Sequence, residues 1–207
     1  MDSLRIETSG LSQLKVFFGE LPQNVALNAV RAVNRGSELM RTEIATTVYA
    51  EIAFRKGYLD PSNERLYIKE RATQDTMRAT VVGRDRPTSL AQFIVGSVPA
   101  PSQRGGVTVM VKKGVSKFMP GAFVYKLKSG VGMDDENFNL GLAVRLKPGE
   151  TLPKKREFVQ MKNGLYLLYG PSVGQAMREI LKGDSATLRR AADVTEAEFD
   201  RLMKVFK

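Results

Sequence analysis

Residues able to do chemistry are few in this chain, and they fall in three places. The run Leu165–Leu181, LYLLYGPSVGQAMREIL, passes from an apolar, aromatic stretch through Gly170-Pro171 into an amphipathic pattern. A glycine-bearing turn from strand to helix, with Ser172 beside it, is a setting in which backbone N–H groups at a helix start hold a phosphate or a serine acts as a nucleophile. The sequence DDEN sets Asp134, Asp135 and Glu136 in a row, the residue type that holds catalytic metal ions. Ser116-Lys117 places a hydroxyl beside an amine.

Each candidate lacks a part. GPSVG is followed by no G-K-[ST], so it is not a phosphate-binding P-loop. Pro171 also removes one backbone donor from the helix start. Neither serine lies in G-x-S-x-G, and no base can be paired with either. Three adjacent carboxylates in a glycine-flanked loop point in different directions and read as a solvated turn. The 207 residues include no histidine and no cysteine. The commonest general base and metal ligand are therefore missing, and disulfides, thiolate chemistry and Cys/His zinc sites are excluded. The chain reads as a non-enzyme with no cofactor and no metal. Leu165–Leu181 reads as a shape element, in which Gly170 permits the turn, Pro171 starts the helix, and Val173 and Met177 anchor it.

The elements that hold these residues follow from periodicity. In SLRIET, alternating Leu4 and Ile6 predict a short strand, and Leu11, Leu14, Phe17 and Phe18 then recur at helical spacing. From about Pro22 to Phe54, Ala26, Val30, Val33, Ser37, Met40, Ile44, Val48 and Ile52 recur every three or four residues, which predicts one long helix. After the turn-rich RKGYLDPSNE the period changes to two. RLYIKERAT and TMRATVVGR predict an antiparallel hairpin, and AQFIVG, GVTVMVKK, GAFVYKLK and LGLAVRLK predict further strands. Gly96–Gly106 and Ser129–Asn139 read as long loops. Gly170-Pro171 opens a helix that Gly183 closes, and Thr195 with Glu198 reads as a capping box starting a last amphipathic helix. The expected fold is α+β: a mostly antiparallel sheet packed by one long N-terminal helix, with a C-terminal helical segment.

The chain carries 32 basic and 22 acidic residues, a net charge of +10. Such a balance favours polyanionic partners. Between Met77 and Lys128 stand nine basic residues against the single acid Asp85, so a basic β region is expected. No helix-turn-helix, zinc finger or RNA-recognition aromatic pair accompanies it, which leaves only non-specific phosphate contact. MDSLRIETSG has no basic stretch followed by an apolar one, so no signal peptide is expected. No apolar run approaches the roughly 20 residues that span a bilayer, and no membrane partner is expected.

LPQNVALNAVRAVNRGSELMRTEIA, MPGAFVYKL, GLAVRL and above all LYLLYGPSVGQAM together resemble the pattern of phage minor tail protein Z and related tail-completion proteins. The resemblance covers about residues 4 to 182. It implies a tail-completion-like domain over 1–182 with a helical extension over 183–207. It also implies a virion protein, made in the host cytoplasm, that forms a ring at the head–tail junction. The ring is commonly sixfold in that family and surrounds the DNA channel. The implied partners are copies of itself, other neck or connector proteins, tail-tube or tail-terminator proteins, and non-specific contact with genomic DNA. Arg104, Lys112, Lys113 and Lys117 are the expected interface or DNA-facing charges. The alternatives are a non-specific nucleic-acid-binding protein of a mobile element and a carboxylate-metal nuclease built on DDEN.

Overall fold

The computed structural model describes residues 23–96, 105–127, 140–147, 149–151, 158–161, 164–183 and 185–204. In chain order its elements are helix α1 (Gln23–Glu51), strands β1 (Leu66–Glu70), β2 (Thr80–Gly83), β3 (Thr88–Ser89), β4 (Val107–Met110), β5 (Ser116–Met119), β6 (Phe123–Lys126), β7 (Leu140–Arg145), β8 (Phe158–Gln160) and β9 (Leu165–Gly170), and helices α2 (Val173–Gly183) and α3 (Ser185–Lys204). Every strand pairing among the described residues is antiparallel. The fold is α+β, with a long helix ahead of the strands and helices after them. The strand and helix expected over residues 4–18 lie outside the described residues.

The chain divides into two compact units. The first comprises Met1–Val48, Leu59–Asp85 and Gly174–Lys207; the second comprises Tyr49–Tyr58 and Arg86–Val173. No division falls at residue 182, and the segment expected as an extension belongs to the first unit.

In the first unit α1 buries Ala26, Ala29, Ala32, Gly36, Ile44 and Val48, the three-and-four spacing of one helical stripe. Ala26, Ala29 and Met77 form an apolar cluster with Val30 and Phe199 against it. The small residues let α3 come close: a Cβ on Gly36 would overlap the hydroxyl of Thr195. Arg41 fastens the chain leading to the hairpin, donating to the Leu59 carbonyl and, at 2.9 Å, to that of Leu66. The expected antiparallel pairing of β1 with β2 is formed, with Leu66 opposite Gly83 and Ile68 opposite Val81. The capping box expected at Thr195 is not formed. α3 runs unbroken from Ser185, the Thr195 hydroxyl donates to the Ala191 carbonyl at 2.8 Å within the helix, and Glu198 pairs with Arg201 at 2.8 Å. A threonine hydroxyl can bond its own helix four residues back, so the motif does not require a helix start.

In the second unit β6, β7 and β9 lie side by side, and β3 and β8 both pair with β9 on its other edge. β7 is covered on both faces, which its nearly continuous apolar sequence LGLAV anticipates. Ala143, Leu165 and Leu167 form an apolar cluster with Phe123, Tyr125, Met161 and Tyr169 against it. Phe54 stacks on Tyr58 at 4.9 Å and meets Phe93 at 5.2 Å, and the Tyr58 hydroxyl bonds Thr88 Oγ1 at 3.2 Å. The strand expected at AQFIVG is instead a 3-10 turn over Leu90–Phe93, with all four residues buried and the Ser89 hydroxyl accepting from the Ala91 N–H at 3.3 Å. Ile94 returns to extended backbone and bridges Val109. A short apolar run does not by itself separate strand from turn, because both can bury it whole.

Candidate functional site

The start of α2 was the first place to expect a phosphate, and the chain occupies it with its own groups. The Gly174 N–H donates to the Arg84 carbonyl at 3.0 Å. Asp85 lies so near that a Cβ on Gly174 would overlap its carboxylate, and Arg178 Nη1 meets Asp85 Oδ1 at 2.9 Å. A carboxylate already complements the positive end of the helix, and it would repel a second anion. Ser172 is fully buried. Gly170 ends β9 opposite Thr88 and is not among the glycines with positive φ. It is small because of packing: a Cβ there would lie 3.0 Å from Phe93 Cε2 and 3.1 Å from Leu90 Cδ2. Pro171 stands two residues before the first residue of α2, ahead of the helix itself. The sequence signal for Asp85 and Arg178 was slight, since they are far apart along the chain.

DDEN, Arg104 and most of both long loops lie outside the described residues. Among the described residues no group of three or more acidic side chains could hold a metal ion. A cleft of about 630 Å³ lies within the first unit, lined in part by Ala29, Gly36, Met77, Val81 and Phe199. Among the described residues its charged lining residues are Arg78 and Glu196. It offers shape and apolar surface.

The remaining candidates, Lys112, Lys113 and Lys117, come together on the β4–β5 hairpin. Strand pairing sets Val107 opposite Met119, Thr108 opposite Phe118 and Val109 opposite Lys117. The connecting turn carries Lys112 and Lys113, closed by a Val115 N–H to Lys112 carbonyl bond of 3.1 Å with Gly114 in the left-handed region. Its backbone is tied down on the far side of β4. Ala53 N–H donates to Val111 O at 2.9 Å, Lys113 N–H to Glu51 O at 2.8 Å, and Val95 N–H to Thr108 O at 3.0 Å. The chain leaves α1 at Glu51, short of the expected Phe54, because Ile52 and Ala53 join this ladder. All three lysines are exposed, and among the described residues none is in an ion pair. Two apolar side chains stand with them. Val115 is 63% exposed and Phe118 57%, the Phe118 ring resting over the backbone of Gly106. No strand was expected at Ser116–Met119.

Charge divides unequally between the units. The second unit carries fifteen basic and six acidic residues, and the first seventeen and sixteen. Nearly all of the net +10 therefore belongs to one unit. The window Met77–Lys128 does not match that division: Arg78 and Arg84 belong to the first unit, where Arg78 lies 3.7 Å from Glu70. Arg55 and Lys56, outside the window, belong to the second. Among the described residues no helix is long and apolar enough to cross a membrane. No family model, curated protein or solved structure matches the chain.

Proposed function

We propose that this protein is a structural subunit of a tailed bacteriophage, assembling with copies of itself into a ring at the head–tail junction. There it would join the DNA-filled head to the tail. The observation that carries the reading is the segregation of charge: one unit bears a net +9 and presents an exposed, backbone-anchored hairpin with three lysines and two apolar side chains. Such a surface suits a partner that is anionic and partly apolar, as a protein surface is. The resemblance of LYLLYGPSVGQAM to tail-completion proteins supports the same reading. Copy number in purified particles tests it, with a fixed number of copies at the neck expected. Absence from the particle would overturn it.

A second reading, non-specific nucleic-acid binding, is favoured by one observation, the exposed aromatic Phe118 next to Lys117. Tight binding of duplex or single-stranded DNA by the free chain, falling steeply with salt, would select it.

A further inference from the structure

The lysine hairpin has a counterpart of opposite sign on the same chain. On α3, Asp193, Glu196 and Asp200 are spaced i, i+3, i+7, so they share one side of the helix, and all three are exposed. No basic residue falls between Asp193 and Asp200. Among the described residues none of the three is in an ion pair, whereas Glu198 on the adjoining side is held by Arg201. Ala197, also exposed, lies within this stripe.

We propose that the β4–β5 hairpin of one copy docks on the Asp193–Asp200 face of α3 in the next copy. The proposal rests on the assembly reading above and names its contact. Lys112, Lys113 and Lys117 meet the three carboxylates, and Val115 and Phe118 settle against Ala197. Two different patches are joined, so the contact is head-to-tail and repeats from copy to copy, closing a ring where the rotation allows. A DNA-binding hairpin would leave the unpaired acidic stripe without a role. A contact between copies uses both surfaces. The charges lie at the surface, so association is expected to weaken as salt rises.

Charge reversal tests it on the full chain, with mass measured by sedimentation at low ionic strength. The variant Lys112→Glu/Lys113→Glu/Lys117→Glu and the variant Asp193→Lys/Glu196→Lys/Asp200→Lys should each associate about a hundredfold more weakly than the parent, since like charges then face each other. Mixed in equal amounts they should assemble again, because the acidic hairpin of one meets the basic helix of the other. If the parent assembles and both variants do so equally well, this contact is wrong while the ring reading stands. Two weakened variants that fail to restore each other would also overturn it. So would a hairpin variant that loses only binding to duplex DNA. A parent that stays monomeric at every concentration overturns the ring reading and this contact together.

Discussion

The side chain of Asn34 holds both backbone groups of Ala72: its Oδ1 accepts from the Ala72 N–H at 2.8 Å and its Nδ2 donates to the Ala72 carbonyl at 3.1 Å. One amide on α1 thus replaces a strand neighbour for a residue two positions past the end of β1, within the first unit. Asn34→Ala removes both bonds and leaves two part-buried backbone groups unpaired, an expected loss of about 2 kcal/mol. Asn34→Asp keeps the acceptor but sets a carboxylate oxygen against the Ala72 carbonyl oxygen, so it should lose at least as much. Denaturant titration of the two variants checks this, and an Asn34→Asp variant as stable as the parent would contradict the two-bond account.

At Gly36 α1 comes close to α3. Alanine there should gain about 1 kcal/mol of helix propensity, but its Cβ would overlap the Thr195 hydroxyl. The overlap should win, for a net loss of about 1–2 kcal/mol. Adding Thr195→Ala removes the obstructing oxygen and should recover most of that loss. A double-mutant cycle with no coupling would show that the helices do not meet at this point.

Gly170 makes the corresponding case in the second unit. With a Cβ 3.0 Å from the Phe93 ring and 3.1 Å from Leu90, Gly170→Val should cost about 2–3 kcal/mol through overpacking. Pro171→Ala should cost less than about 1 kcal/mol, because Pro171 lies ahead of α2. Thermal unfolding measures both. A Gly170→Val chain as stable as the parent but altered in phosphate binding would restore the ligand-loop reading.

The sequence made the long helix and the β1–β2 hairpin legible because each repeats one period over many residues: Ala26 to Val48 at three and four, Leu66 to Glu70 at two. It concealed features that depend on partners. β5 has three exposed residues out of four and shows no alternation, and β3 is only two residues held by β9. The turn at Leu90–Phe93 has the composition of a buried strand. The lysines were visible as a charged stretch. Their common hairpin and the division of charge were not, because the second unit adds Tyr49–Tyr58 to Arg86–Val173 across a gap in the chain.

Glu38 gives a pH dependence with a definite sign. The hydrogen bond from Arg71, at 2.9 Å, is the main cause that holds its carboxyl below the usual range, with Arg35 adding to it. A carboxyl depressed in the folded state contributes stability above its unfolded value, and that contribution is lost as pH falls through the folded value. Both partners are well exposed, 41% for Glu38 and 58% for Arg71, so screening keeps the effect below about 1 kcal/mol. Glu38→Gln should therefore be slightly less stable than the parent near neutral pH, and the difference should shrink as pH falls through the folded value. Denaturant midpoints across that range test it, and a difference that grows in acid would contradict the sign.

The proposed ring requires that this chain assemble with itself. Native mass spectrometry of the purified full chain at low ionic strength tests it most directly. A closed ring predicts one discrete species at a fixed multiple of 22.9 kDa, six in the commonest case for the family it resembles. A single 22.9 kDa species at every concentration would contradict it.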